Sequence, residues 1–196
     1  MTSHGPSQGE GRGRFLFSMD YNKIIDKYYP EDNALKHILI VHSESVMRKA
    51  LKIVDKHPEL NIDRLFVEEA AMLHDIGIVK CDAAGIQCFG TEPYLRHGRL
   101  GAEMMRTEGY PLHARVCERH TGAGLSVEDI ENQDLPLPHI DLLPETIEEK
   151  VICYADKFFS KTHLDREKTF EQAEKSIAKF GGNGLERFLT WEKIFQ

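Results

Sequence analysis

Apolar residues recur every three to four positions along most of the chain, and the elements follow from where that rhythm holds and breaks. From Asp20 onward the pattern is helical. Leu35, Ile38, Leu39, Val46, Ala50 and Val54 keep the spacing over one long stretch, which predicts an amphipathic helix from Asn33 to Lys56. Asn33 is placed to cap its start, and Pro58 follows its end. Asn61 is the expected cap of the next helix, whose Phe66, Ala70 and Leu73 face inward and whose end meets Gly77. Asp82 to Glu92, with Gly85 and Gly90, reads as a loop. A helix beginning at Pro93 or His97 runs to about Glu108, and Pro111 suits the first position of a short helix ending near His120. Thr121 to Gly124 breaks it, and Gln133 to Pro144 is a proline-containing connection. Pro144 starts a helix with Ile147, Val151, Ile152, Ala155 and Phe159 on its apolar stripe. Two last helices, about Lys168 to Phe180 and Leu185 to Phe195, are separated by Gly181 and Gly182. With no series of alternating strands and no internal repeat, the expected fold is all-α, a single-domain irregular helical bundle.

Composition narrows the function classes. The 196 residues, 41% apolar and 29% charged, fit one globular domain, expected over residues 19–196. Met1 to Ser18 is rich in Gly and Ser, has no periodicity and precedes a second methionine, Met19. It reads as an expression leader or a disordered arm, so His4 is given no role. A formal net charge of -7 argues against a long nucleic acid as partner. No apolar run is long enough to span a bilayer, so no membrane partner is expected. Cys81, Cys88, Cys117 and Cys153 have no CxxC spacing and read as reduced thiols of a cytoplasmic protein.

Six polar residues occupy positions where helical packing calls for apolar ones. His42 lies one turn from both Ile38 and Val46, and His74 shares a face with Phe66 and Ala70, with Asp75 next to it. His97 aligns with Leu100, Gly101 and Met104, His120 with Val116 and His113, and Asp156 with Ile152. A lone inward histidine is most simply a hydrogen-bonded core residue. Four imidazoles and two carboxylates spread over five helices need a common partner, and mixed N/O donors of this kind suit Fe, Mn, Co, Ni or Zn. HExxH, the P-loop and GxSxG are all missing from the sequence. His37, His57, His113, His139 and His163 have no partner pattern and are expected at the surface or in caps.

His42, His74-Asp75 and Asp156 resemble the H…HD…D signature of the HD-domain superfamily of metal-dependent phosphohydrolases. The likeness spans about Asn33 to Lys161 and includes the strings LHDIG (Leu73 to Gly77) and YADK (Tyr154 to Lys157). RHG (Arg96 to Gly98) and RHTGAG (Arg119 to Gly124) look like the two extra histidines of the dimetal branch, and the motif order resembles bacterial enzymes that split diadenosine tetraphosphate symmetrically. The GYP extension of cyclic-di-GMP phosphodiesterases is not evident. The resemblance implies that His42, His74, Asp75 and Asp156 hold one metal and that Asp75 bridges to a second held by His97 and His120. The cofactors would be two divalent transition-metal ions, Fe or Mn favoured, with Zn, Ni, Co or Mg as alternatives.

On that basis the expected activity is hydrolysis of a phosphoester or phosphoanhydride in a nucleotide or related small phosphorylated molecule, with a hydroxide bridging the metals as nucleophile. Asp75, His74 and Lys80 are the expected catalytic residues. Lys80, Arg96, Lys157 and Lys161 are the expected phosphate contacts; each could equally be a solvated surface charge. Thr121 more simply turns the chain after His120. Cys88 to Tyr94 is a candidate substrate loop. Two other readings stay open: a di-iron oxygenase on the same scaffold, and a non-catalytic nucleotide-sensing module.

Overall fold

The computed structural model describes residues 19–164 and 166–196; the leader or arm expected over residues 1–18 lies outside them. Among the described residues the helices are α1 (Tyr21–Tyr28), α2 (Ala34–Lys56), α3 (Arg64–Leu73), α4 (His97–Thr107), α5 (Pro111–Arg119), α6 (Val127–Asn132), α7 (Ile147–Asp156), α8 (Phe170–Ala178) and α9 (Gly184–Phe195). The fold is an all-α bundle, as the periodicity predicts.

The departures are local and have local causes. Pro58 starts a short 3-10 turn that consumes Asn61, whose φ of 49° closes it; Asp63 then caps α3 by accepting from the Phe66 amide. Thr146 and Glu149 form a reciprocal capping box, so α7 starts at Ile147 rather than Pro144. It ends at Asp156, which leaves Phe159 beyond it. Between the Thr121-to-Gly124 break and the Gln133-to-Pro144 connection, where no element was expected, lies α6, signalled by a second capping box, Ser126 with Asp129. The expected loop from Asp82 to Glu92 contains most of a miniature sheet: β1 (Cys81–Ala83) pairs antiparallel with β2 (Cys88–Phe89) and parallel with β3 (Glu92–Pro93). Strands of two or three residues are too short to show alternation.

Two apolar cores flank the polar cluster. One gathers Val46, Ala50, Val67, Ala70, Ile152 and Phe188. The other gathers Ile25, Leu39, Leu73, Ile76, Met104 and Met105. Helix α2 runs through both: Leu39 belongs to one and Val46 to the other, with His42 buried between them.

Two glycines fix how close α4 comes to its neighbours. A Cβ on Gly77 would lie 2.2 Å from the His97 carbonyl and 2.4 Å from the Gly101 amide. A Cβ on Gly98 would lie 2.5 Å from the Cys117 carbonyl. These backbone atoms cannot swing aside as side chains do, so only glycine lets α4 nest between the turn after α3 and α5. Gly77→Ala should therefore cost about 2 kcal/mol or more through overpacking. It should lower the Tm of metal-stripped protein by several degrees, and an unchanged Tm would contradict the close approach.

Candidate metal centre

Six elements each bring one part of the cluster inward. His42 comes from the middle of α2, and His74 caps the C-terminal end of α3. Asp75 caps the 3-10 turn Ile76–Lys80 that follows. His97 opens α4, His120 caps the end of α5, and Asp156 is the last residue of α7. All six are buried, His74 and Asp75 at 0% exposure. The structure thus brings together every one of the six residues singled out in the sequence.

Asp75 is the centre of the geometry. Its Oδ2 lies 3.1 Å from His42 Nε2 and 3.0 Å from His74 Nε2; its Oδ1 lies 3.3 Å from both His97 Nε2 and His120 Nε2. Asp156 Oδ1 lies 3.0 Å from His42 Nε2 and 3.6 Å from His74 Nε2. Two groups of donor atoms close enough to share an ion result: His42, His74, Asp75 and Asp156, and Asp75, His97 and His120.

Backbone carbonyls set the tautomers. His74, His97 and His120 each donate Nδ1–H to the carbonyl three residues earlier, at Ala71 (2.6 Å), Tyr94 (2.7 Å) and Cys117 (2.7 Å). A carbonyl only accepts, so the proton sits on Nδ1 and a neutral ring turns its Nε2 lone pair inward. His97 Nε2 and His120 Nε2 then face each other at 3.0 Å with no proton between them. His74 Nε2 and both Asp75 oxygens lack an aligned hydrogen-bond partner among the described residues, although the Lys161 ammonium lies 2.6 Å from Asp75 Oδ2. The lone pairs of His97 and His120 converge beside Asp75 Oδ1 and repel one another unless a cation lies among them. The residues present therefore fit metal ions.

Protonation follows the same logic. Burial pushes His97 down to about 3 and also lowers His120, so both rings are neutral. Burial pushes His74 down too, but the neighbouring charges of Asp75 and Asp156 outweigh it and raise His74 to about 9. Burial disfavours both carboxylates, yet Lys161 and His74 hold Asp75 well below the usual range, and Lys157 and His42 do the same for Asp156. Without an ion, the cluster draws its positive charge from a protonated imidazole and two ammonium groups.

The cluster opens onto a cavity of about 540 Å³, within the ~300–1,000 Å³ usual for small-molecule sites. His42, His97, His120 and Asp156 form part of its wall; Tyr94, Leu125, Phe159, Ile177 and Phe180 contribute apolar surface. Lys157 and Lys161 line it. Lys80 and Arg96 are not among its lining residues. Lys80 is exposed at the end of the 3-10 turn, which points it away from the catalytic role expected of it, and Arg96 pairs with Glu92. The turn carrying Lys80 curls away because Ile76 and Ile78 are drawn into the core. Of the candidate substrate loop only Tyr94 reaches the cavity, beside Ala83, Gly85 and Ile86 from the preceding segment. Phe89 is 75% exposed. His113, expected at the surface, is buried edge-on against Phe66.

Sequence reasoning missed Lys168 and Arg187, which also line the cavity. Lys168 donates to the Lys157 carbonyl, and burial lowers its pKa. Arg187 reaches across from α9 to the Ala123 and Gly124 carbonyls and to Asp129, tying down the segment after His120. Lys168 precedes α8 and Arg187 lies in α9, and neither position carries a sequence signal that sets it apart from a solvated cation.

An all-α bundle with a buried histidine–aspartate cluster at the floor of a pocket defines the class of protein. Residues 39–160 match the HD domain, and the chain belongs to that family. It is 33% identical over 165 residues to an uncharacterized protein of Methanocaldococcus jannaschii, covering 82% of this chain and 88% of that one. It is 35% identical over 156 residues to a tRNA (cytidine(56)-2'-O)-methyltransferase of Picrophilus torridus, covering 74% of this chain and 41% of the relative. The corresponding enzyme of Thermoplasma volcanium is 34% identical, with 42% of its length covered. The chain thus spans about two fifths of the methyltransferases it matches. Among solved structures, the HD domain of the Listeria monocytogenes phosphodiesterase PgpH shares the fold, with a TM-score of 0.51 and 16% identity over 90% of this chain and 99% of that one. A second structure of that domain, in complex with cyclic-di-AMP, aligns with the same TM-score.

The tautomers are directly measurable. Long-range 1H–15N correlation spectra of metal-stripped protein should show His97 and His120 as neutral rings protonated on Nδ1. An Nε2–H form of either ring would contradict the carbonyl-directed orientation.

Proposed function

We propose that the protein is a metal-dependent phosphohydrolase whose substrate is a nucleotide or related small phosphorylated molecule. One observation carries the reading: the Nε2 lone pairs of His97 and His120 meet at 3.0 Å, each 3.3 Å from Asp75 Oδ1, and a cation is the natural complement of that arrangement. In this reading His42, His74, Asp75 and Asp156 hold one divalent ion, and Asp75, His97 and His120 hold a second, with Asp75 shared. Four nitrogen donors beside two carboxylates favour a transition metal such as Fe or Mn over Mg. When bound, such ions supply an acidified water and charge neutralisation at phosphorus.

The chain's own residues do the rest. The three carbonyl-anchored rings are oriented before any ion arrives, which limits reorganisation. Lys157 and Lys161 add positive charge at the cavity wall, so an anion is attracted into a protein whose formal net charge is -7. The apolar surface of Tyr94, Leu125, Ile177 and Phe180 suits a base or other flat group attached to the phosphate. Family membership supports the hydrolase reading, and the cyclic dinucleotide bound by the PgpH domain supports a nucleotide. The motif order shared with symmetric diadenosine tetraphosphate hydrolases makes a dinucleoside polyphosphate a substrate to test beside mononucleotides and simple phosphate esters.

Elemental analysis tests the ligand assignment. His74→Ala and Asp75→Ala should abolish metal binding, whereas His97→Ala or His120→Ala should reduce the ratio from two ions toward one; full occupancy in all four variants would sink it. Phosphate release across the substrate panel should vanish on exhaustive chelation and return with added Mn or Fe. Activity that survives chelation would reject the mechanism.

A further inference from the structure

Each carboxylate of the cluster has its own lysine, and the two lysines are held differently. Lys157 Nζ lies 2.7 Å from Asp156 Oδ2 and also donates to the His120 carbonyl at 3.0 Å. Lys161 Nζ lies 2.6 Å from Asp75 Oδ2, with the Tyr94 ring centroid 5.9 Å away. Among the described residues no backbone carbonyl anchors it. Asp75 Oδ2 is the oxygen that also faces His42 and His74. The Lys161 ammonium therefore lies against the donor atom that the proposed first ion needs.

An ammonium and a divalent cation repel each other at one carboxylate oxygen. Lys157 has a second anchor that keeps it in place when an ion arrives. Lys161 has a flexible four-carbon stem and lines the cavity, so it has somewhere to go. We propose that Lys161 is a resident counter-ion that a divalent metal displaces from Asp75, and that the displaced ammonium becomes the cavity's contact for a substrate phosphate. This rests on reading the cluster as a metal centre. It explains how a fully buried carboxylate is tolerated before metal loading: the ammonium offsets a desolvation penalty that would otherwise reach several kcal/mol. It also makes metal loading and phosphate capture consecutive uses of one side chain.

The test is calorimetric titration of Mn(II) into metal-stripped full-length protein, for the wild type, Lys161→Met and Lys161→Arg. An opposite charge within ~4–6 Å shifts a carboxylate's proton affinity by about tenfold or more. Removing the competitor should strengthen Mn(II) binding by a similar factor. Lys161→Met should thus bind the ion at least about tenfold more tightly than wild type, and Lys161→Arg should bind it about as wild type does. The metal-stripped Met variant should melt below wild type and regain the difference on Mn(II) saturation. Loaded with Mn(II), it should bind inorganic phosphate more weakly. If Lys161→Met does not fold without metal, Lys161→Gln is titrated in its place and judged by the same result. Unchanged or weaker Mn(II) affinity in the folded neutral variant overturns the proposal, as does equal tightening in Lys161→Arg. A wild type that binds no Mn(II) would instead reject the metal centre itself, and a lack of phosphoester turnover would leave the titration result standing.

Discussion

The structure depends on one carboxylate, Asp75, held at 0% exposure between four imidazoles. Burying a charge of that kind costs several kcal/mol unless opposite charge and directed contacts offset it. The bundle arranges those contacts from every side: α2 brings His42, α3 brings His74, α4 and α5 bring His97 and His120, and the segment after α7 brings Lys161. The cluster interrupts the hydrophobic interior, and the two apolar cores on either side hold the helices at the distances it requires.

Rigidity comes from backbone atoms more than from side chains. Three histidines are turned by carbonyls one helical turn earlier, which is the same device at the end of α3, before α4 and at the end of α5. Gly77 and Gly98 let those segments touch at backbone distance. The glycines that follow the histidine motifs are thus packing requirements of the metal centre. The cavity is less uniform: its polar floor comes from the cluster, while its apolar walls come from the β1–α4 region, the segment after His120, and α8 with its C-terminal edge. One end of the pocket offers donor atoms that could hold metal ions, and the other is lined by apolar surface.

Much of this was legible in one dimension. The long period of α2, the inward histidines and the HD pair led to the six clustered residues and to the all-α class. What failed was short-range. Asn61 was expected to cap α3, but the 3-10 turn after Pro58 takes it up and leaves that role to Asp63. Lys80 and Lys161 were both expected to contact phosphate, yet Lys80 lies outside the cavity lining, and Lys161, much farther along the chain, is the lysine against Asp75. Lys168 and Arg187 gave no sign of lining the same cavity, since a cation on an amphipathic helix is ordinarily solvated.

By itself the sequence determined which residues are too polar for their helical positions, and hence that they need a common partner. That information is local, because helix periodicity alone says which face a side chain occupies. The tertiary structure decided which donor atoms face each other, which ring nitrogen carries the proton, and which lysines reach the carboxylates. Those outcomes depend on the angles and distances at which helices far apart in sequence meet, set here by two glycines and two cores that no short window of sequence contains.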